Sequence, residues 1–419
     1  MPRYSLVWRF LGALGVLVAH FFVLSDGHDE VRVIPSVPSK GLHLGTNESP
    51  NNVHDTDFWT ESTVNYVRPL NAEDSHQVDH QDDSSKSSII HIRRGSSGAD
   101  DDPLDPYLVT TPVSILNGRA IHEEFSLRRN GFELCSLSSV PGTITQNQES
   151  DEDELPDIDF HNSSQVIDKY YPLCEELVAT KLQDDTDDDN STPRRPKVRA
   201  FDHNIRDARV YAESFGAATA LTPATVVHGD YTFVSSLRRL EDLSKAMNKT
   251  NDVLQSQTSL VDPNTVAKIA RSLSSSTWGH PRFAFVNVWR SIDPNYPVLS
   301  HPIACVDTHL MESQTQVLDD LRTLQIHYVD RVGENYLSVP NKKHRWVYFA
   351  NMTMGEVILI KQWDSEGTLA RHLATGNVYE SRRTANYRST FCLHSAFAAP
   401  NEGLPPRRSI EVRCVCIWD

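Results

Sequence analysis

The chain has 419 residues, enough to bury a large core, and carries 56 acidic against 40 basic side chains, a net charge of −16 at pH 7. So acidic a balance argues against nucleic acid as a partner, because a phosphate backbone demands a basic surface. The acid collects in short runs such as GADDDPLDP, NQESDEDELPDID and DDTDDDN, too polar to bury a core, and without them the composition is that of an ordinary globular protein.

Residues 1–25 open with Arg3 and Arg9 ahead of an apolar run from Phe10 to Leu24. The run is short for a membrane span of about 20 residues. It reads as a signal peptide or signal anchor, with Val23 and Ser25 as small residues at a cleavage point. Asn162, Asn190, Asn248 and Asn351 stand in N-x-S/T sequons, which take glycan only in the secretory pathway. A genuine leader implies the secretory pathway or a single-pass anchor, with membrane contact through this segment alone; otherwise the chain is cytoplasmic. Residues 26–105 read as a disordered polar segment and 106–419 as the folded body, with acidic loops near 146–160 and 183–194. The six cysteines form no C-x-x-C pair, so a zinc ribbon is excluded, and in a chain this long they read as buried free thiols.

The body begins with PYLVTTPVSILNGRAIHEEF, where Asn117-Gly118 predicts a hairpin turn. Residues 163–182 space Val166, Tyr170, Leu173, Leu177 and Val178 at helical intervals behind a serine cap. TPATVVHGDYT then reads as a strand. Helices follow over residues 234–247 and 262–273, the second with Asp262 as its cap and Pro263 in its first turn. The last third holds five β-branched or aromatic runs that predict strands: RFAFVNVWRSI, HRWVYFANMT, GEVILIKQWDS, TFCLHSAF and SIEVRCVCIWD. Helices outside a set of antiparallel strands predict an α+β fold built on a barrel or sandwich.

Within TPATVVHGDYT, His228 and Asp230 lie two apart and so project to one face of a strand. A His-x-Asp pair alone is a weak signal, and His80-Gln81-Asp82 repeats it inside an acidic run where no packed site can form. The apolar lead-in, the small Gly229 and the aromatic Tyr231 and Phe233 set the later pair apart. Two imidazoles and one carboxylate suit an Fe(II) oxygenase centre with open positions, and the second histidine must come from another strand.

FDHNIRD, VVHGDYT, VNVWRSI, HPIACVD, HRWVYFANMTMGEVILIKQWDS, LHSAFAAP and PPRRSIEVRCVCIWD follow one another in the order of a known family. From Tyr107 to Asp419 the chain resembles the AsaB-type hydroxylase/desaturase group, which includes the fungal gibberellin desaturase, the fungal endoperoxide-forming oxygenases and the cephalosporin methoxylation protein. The resemblance implies a double-stranded β-helix (a jelly-roll, cupin-like barrel) with flanking helices. It also implies a non-haem Fe(II), 2-oxoglutarate-dependent hydroxylase or desaturase that uses O₂ on a small, secondary-metabolite-like molecule. His228 and Asp230 match the family's proximal ligands. The distal histidine should sit one strand before an arginine that holds the cosubstrate; His394 fits, and His344 is its rival.

Guanidinium pairs with the far carboxylate of 2-oxoglutarate in two parallel bonds, and Arg407-x-Ser409 resembles the Arg-x-Ser pair of such enzymes. Arg407, Ser409, Glu411 and Arg413 share strand parity, so Arg413 stands as the alternative anchor, while Arg408 is expected to face solvent. Trp289, Arg290 and Trp346 read as core and rim. Because the methoxylation relative works with a partner protein, the alternative function is a non-catalytic or accessory barrel that binds a small molecule or a partner enzyme. The chain departs from the family in its leader and polar segment, and in a longer link over 366–390, read as a surface loop.

Overall fold

A computed structural model describes residues 59–69, 89–93, 104–139, 157–183, 194–207, 223–247, 253–256, 258–274, 281–310, 318–328, 331–375, 387–398 and 403–418. The expected leader lies outside these residues, as do the sequons at Asn190 and Asn248; Asn162 and Asn351 are exposed.

Two β-sheets carry the fold. The larger runs in the order β1 (Trp59–Val67), β3 (Leu108–Asn117), β11 (Trp346–Tyr348), β8 (Ile303–Val306), β13 (His394–Ala396), β6 (His228–Gly229), β10 (Val332–Ser338), β9 (Leu321–His327), β2 (Ile89–Arg93). The smaller runs β4 (Phe132–Ser136), β12 (Glu356–Asp364), β7 (Phe283–Ser291), β14 (Arg408–Ile417), β5 (Lys197–Asp207). The β3–β11 and β2–β9 pairs are parallel and the other strand pairs antiparallel. Apolar side chains from both sheets merge into shared clusters, one around Phe283, Phe285, Trp346 and Trp363 and another around Trp289, Cys305, Val347 and Ile360. The result is the α+β jelly-roll that the resemblance implies.

Central strand β7 shows why the sequence takes this form. All nine of its residues are buried. Phe283, Phe285 and Trp289 enter the shared core, while Ala284, Val286 and Val288 lie beneath helix α1 (Tyr171–Lys181) with Cys174, Leu177 and Val178. A strand covered on both faces reads as a near-continuous apolar run, not an alternating one. Helix α1 is entered through a short π turn, Val166–Tyr170, and its run starts from Asn162, whose side chain accepts from Gln165 N, in place of the expected serine cap. Helices α2 (Phe233–Leu243) and α3 (Pro263–Ser274) fall where predicted, and Asp262 accepts from the N–H groups of Asn264 and Thr265. All six cysteines are buried and free.

Four expectations need correction. Strands β1 and β2 lie inside the segment expected to be disordered. They are short apolar-patterned stretches between polar runs, with Val64, Tyr66, Ile90 and Ile92 buried, and β1 pairs with β3 along its whole length. Asn117-Gly118 makes no hairpin: Asn117 caps a 3₁₀ turn, Gly118–Glu124, by accepting from Arg119 N. A Cβ on Gly118 would stand 2.8 Å from Val347 Cγ1, so the glycine serves close approach to β11. The 366–390 link is not a surface loop where it is described, because helix α4 (Thr368–Thr375) buries Leu369 and Ala370, and Tyr387, Ser389 and Thr390 are buried after it. Arg408 does not face solvent freely; its Nε donates to the buried Asp207 at 2.7 Å, and Asp293 lies 3.8 Å from Nη1. Strands β8, β9 and β10 escaped prediction, and β11 and β13 span three residues each, shorter than their apolar runs suggested.

Candidate metal centre

Strand β6 is only two residues long, yet it joins β10 to β13. His228 stands opposite Leu337 on one side and His394 on the other. Directly opposed residues of an antiparallel pair share a face, and the two imidazole centroids are 4.4 Å apart. Asp230 follows at i+2. One ligand atom from each of His228, Asp230 and His394 lies within 4.8 Å of the other two, the one such trio among the described residues. Between them, Gly229 keeps room for Phe391: a Cβ there would stand 3.2 Å from Phe391 Cδ2, on a ring that stacks against Trp363.

Backbone carbonyls fix both histidine tautomers. His228 Nδ1 lies 2.7 Å from Val226 O, and His394 Nδ1 lies 3.1 Å from Cys392 O. A carbonyl only accepts, so each Nδ1 carries the hydrogen and each Nε2 keeps its lone pair, as metal-ligating histidines require. His228 Nε2 is 3.4 Å from Asp230 Oδ1. The other carboxylate oxygen, Oδ2, is occupied: Asn287 Nδ2 donates to it at 2.9 Å and Arg413 Nε lies 3.9 Å away. The backbone N–H of Asp230 donates to Gln362 Oε1 at 3.2 Å. Asp230 is thus held by one oxygen while the other faces the histidines.

Electrostatics put Asp230 and His394 in their ligating forms. Burial alone would raise the Asp230 carboxyl, but the His228 hydrogen bond, with His394 and Arg413 nearby, holds it well below the usual carboxylate range. Burial, reinforced by His228, pushes His394 down to about 4, so its imidazole is neutral at pH 7. For His228 burial acts downward, but Asp230 outweighs it and the net shift is upward. His394 is 3% exposed, whereas the side chains of His228 and Asp230 retain 17% and 14%, so the open approach lies on their side. Two imidazole nitrogens and one carboxylate oxygen, without thiolate, are the donor set of a facial Fe(II) site.

The candidate anchors, Arg407 just before β14 and Arg413 on it, differ sharply. Arg413 is committed to acids: Nη1 donates to Asp202 at 2.9 Å, Nη2 lies 3.2 Å from Glu411 Oε1, and these carboxylates, with Asp230, outweigh burial to raise its pKa. Among the described residues, Arg407 has the His301 carbonyl, at 2.6 Å from Nη1, and the face of Trp289, 5.5 Å from its guanidinium carbon. Its Nε is buried without a partner, and burial, with Arg206 nearby, pushes its pKa down to about 9. A buried guanidinium short of an acceptor fits an incoming carboxylate. Ser409 is buried two residues on, opposite Arg206 and Ser291.

The rival His344 is not part of the trio. Its Nδ1 shares a 2.8 Å hydrogen bond with Tyr66 Oη, which also accepts from Trp346 Nε1 at 3.0 Å, and its Nε2 lies 3.7 Å from Asp320. Asn287, Gln362 and Asp202 went unremarked in the sequence. Asn287 left a trace, since it interrupts the otherwise apolar series Phe283, Phe285, Trp289 on one face. Gln362 left none, because a bulge between Lys361 and Trp363 shifts the alternation.

A family model described as an oxidoreductase/YMDC permease-like domain matches residues 65–263 and 255–417. The chain belongs to this oxidoreductase family. Among relatives of this oxidoreductase, the hydroxylase/desaturase efuI of Hormonema carpetanum is 24% identical over 330 residues, 74% of this chain and 84% of its own. An uncharacterized protein in the dcmA 3′ region of Methylophilus leisingeri is 25% identical over 242 residues, 54% of this chain and 94% of its own. A solved structure of the iron and alpha-ketoglutarate-dependent endoperoxidase NvfI superposes with a TM-score of 0.53 at 18% identity, covering 87% of this chain and 99% of that one. The oxidoreductase family and the jelly-roll fold therefore stand together.

Proposed function

We propose that the protein is a non-haem Fe(II)- and 2-oxoglutarate-dependent oxygenase that hydroxylates or desaturates a small organic molecule of the secondary-metabolite kind. One observation carries this reading: His228 and His394, each with Nδ1 turned to a backbone carbonyl, bring one ligand atom apiece within 4.8 Å of each other and of an Asp230 carboxylate oxygen. His228, Asp230 and His394 would hold Fe(II), and Arg407, with Ser409 beside it, would hold the far carboxylate of 2-oxoglutarate. When bound, the pair supplies O₂ activation coupled to conversion of 2-oxoglutarate into succinate and CO₂. The chain's own part is to keep Asp230 anionic and His394 neutral, to fix which carboxylate oxygen faces the metal, and to present one undercommitted cation. Aromatic rings close off the rest: Tyr231 stacks on Phe285 at 4.7 Å, and Phe391 lies against Trp363. The relatives support the reading in their names, hydroxylase/desaturase for efuI and Fe(II)/2-oxoglutarate-dependent dioxygenase for nvfI of Aspergillus novofumigatus.

The test is anaerobic titration of the whole protein with Fe(II) and then 2-oxoglutarate, watching for the visible charge-transfer band of the chelate, followed by succinate release in air. Absence of both would leave the accessory-barrel reading. Arg407→Met should still take up Fe(II) but need at least about tenfold more 2-oxoglutarate for the band, the scale of a lost charge-assisted hydrogen bond. An unchanged requirement would move the anchor to Arg413.

A further inference from the structure

Among the described residues, a second buried donor beside the trio has no partner. Gln362 is fully buried on β12, and its Nε2 meets no acceptor among the described residues. Its orientation is not arbitrary: Oε1 accepts the Asp230 N–H at 3.2 Å, and exchanging oxygen for nitrogen would set two donors against each other. With Oε1 so fixed, amide bond lengths keep Nε2 within about 5.5 Å of the Asp230 nitrogen. An orphaned donor at such depth costs stability, and folded proteins rarely keep one without a use. Arg407 Nε is in the same condition, and the oxygenase reading gives it a use as a carboxylate anchor.

We propose that Gln362 Nε2 donates a hydrogen bond to an oxygen atom of the molecule that enters the open face of the His228, Asp230 and His394 trio. The inference rests on the oxygenase reading and deepens it. Gln362 then has two separable jobs. Oε1 acts through the backbone of Asp230 and so on the metal, whereas Nε2 acts on what the metal receives. Neighbouring Asn287 serves the first kind of job only, because its Nδ2 is used on Asp230 Oδ2. The acceptor oxygen has two sources: the oxo-acid end of 2-oxoglutarate, or the diatomic ligand that follows it.

Gln362→Met keeps the volume and loses both polar atoms, so three titrations of the whole protein separate the roles. Co(II) alone reads the metal site. 2-Oxoglutarate on the anaerobic Fe(II) protein, followed by its charge-transfer band, reads the oxo acid. Nitric oxide on the Fe(II)·2-oxoglutarate protein, followed by its high-spin paramagnetic resonance signal, stands in for dioxygen. The expected result is a loss of about tenfold or more in one ligand arm, read at saturating metal and beyond any loss of Co(II) affinity, which identifies the source of the oxygen. Wild-type affinity in both ligand arms, or a loss confined to Co(II), would overturn the proposal. Failure of the wild-type protein to bind Co(II) or Fe(II) would instead take down the oxygenase reading beneath it. Should the methionine variant fold poorly, Gln362→Glu, which keeps the acceptor for Asp230 N–H, repeats both ligand arms with the same two outcomes.

Discussion

His228→Ala and His394→Ala are each expected to lose Fe(II) binding by more than the roughly 10–100-fold that removal of an outer partner costs a metal site. Each removes one of three donors from a set in which no spare donor lies within reach among the described residues. Asn287→Ala belongs to the outer-partner class. It frees Asp230 Oδ2 without touching a donor atom, so its loss should fall inside that range. His344→Ala should leave Fe(II) affinity unchanged while lowering stability, because it removes one of the two hydrogen-bond partners of the buried Tyr66 hydroxyl. Isothermal titration with Fe(II) under argon, beside urea unfolding of the metal-free variants, separates the cases. Wild-type affinity in His394→Ala, or loss of affinity in His344→Ala, would reverse the choice of third ligand.

Asp364→Asn is expected to destabilise the fold by about 3–5 kcal/mol, the usual result of removing one partner from a buried charge cluster. Asp364 accepts from Arg282 Nε at 3.0 Å and Nη2 at 2.8 Å, and Lys361 Nζ lies 3.2 Å away, with Asp364 and Lys361 fully buried. The substitution removes the negative charge facing Arg282 and Lys361, leaving the Trp418 ring at 3.7 Å from the Arg282 guanidinium carbon and the Ser389 carbonyl at 3.0 Å from Lys361 Nζ. Lys361→Met should cost far less, within about 1.5 kcal/mol, because Asp364 keeps its two-pronged bond to Arg282 and the volume is conserved. The pH dependence distinguishes the two groups. Arg282 and Lys361 outweigh burial to hold Asp364 well below its usual range, so its contribution is present above the unfolded carboxylate value of about 3.9 and fades as pH falls below it. Burial, only partly opposed by Asp364, pushes Lys361 down to about 7. Between there and the unfolded value of about 10.4 the unfolded chain holds more protons, so wild-type stability should rise with pH relative to Lys361→Met. Urea midpoints at pH 7 and pH 9.5 for the two variants are the check, and equal losses at pH 7 would contradict the argument.

The trio was legible for a reason that also explains what was not. His228 and Asp230 are two apart, and strand geometry converts that spacing into a shared face without further information. His394 needed the resemblance, because nothing in CLHSAF shows that its strand will lie beside a two-residue strand some 160 positions earlier. Parity on β14 set Arg407, Ser409, Glu411 and Arg413 on one face, but which arginine is committed depends on Asp202, which arrives from β5, and no local pattern reports that partner. The long helices were readable from their period and caps. Strands β1, β2, β8, β9 and β10 were not: short strands have too few alternations to stand out, and β1 and β2 are surrounded by acid and serine. Asn117-Gly118 carried a turn signal, but the chain used it to begin a 3₁₀ turn because β3 runs parallel to β11 at that end.

Strand β1 reaches further into the chemistry than its position suggests. Asn65 accepts from Val227 N at 2.8 Å and donates to Thr225 O at 3.2 Å, bracketing the Val226 carbonyl that sets the His228 tautomer. The smallest recombinant fragment with a working centre therefore starts before Trp59. One begun at residue 106 would still encode every proposed ligand, yet it would leave Val227 without its neighbour and bare the outer edge of β3, an invitation to self-association.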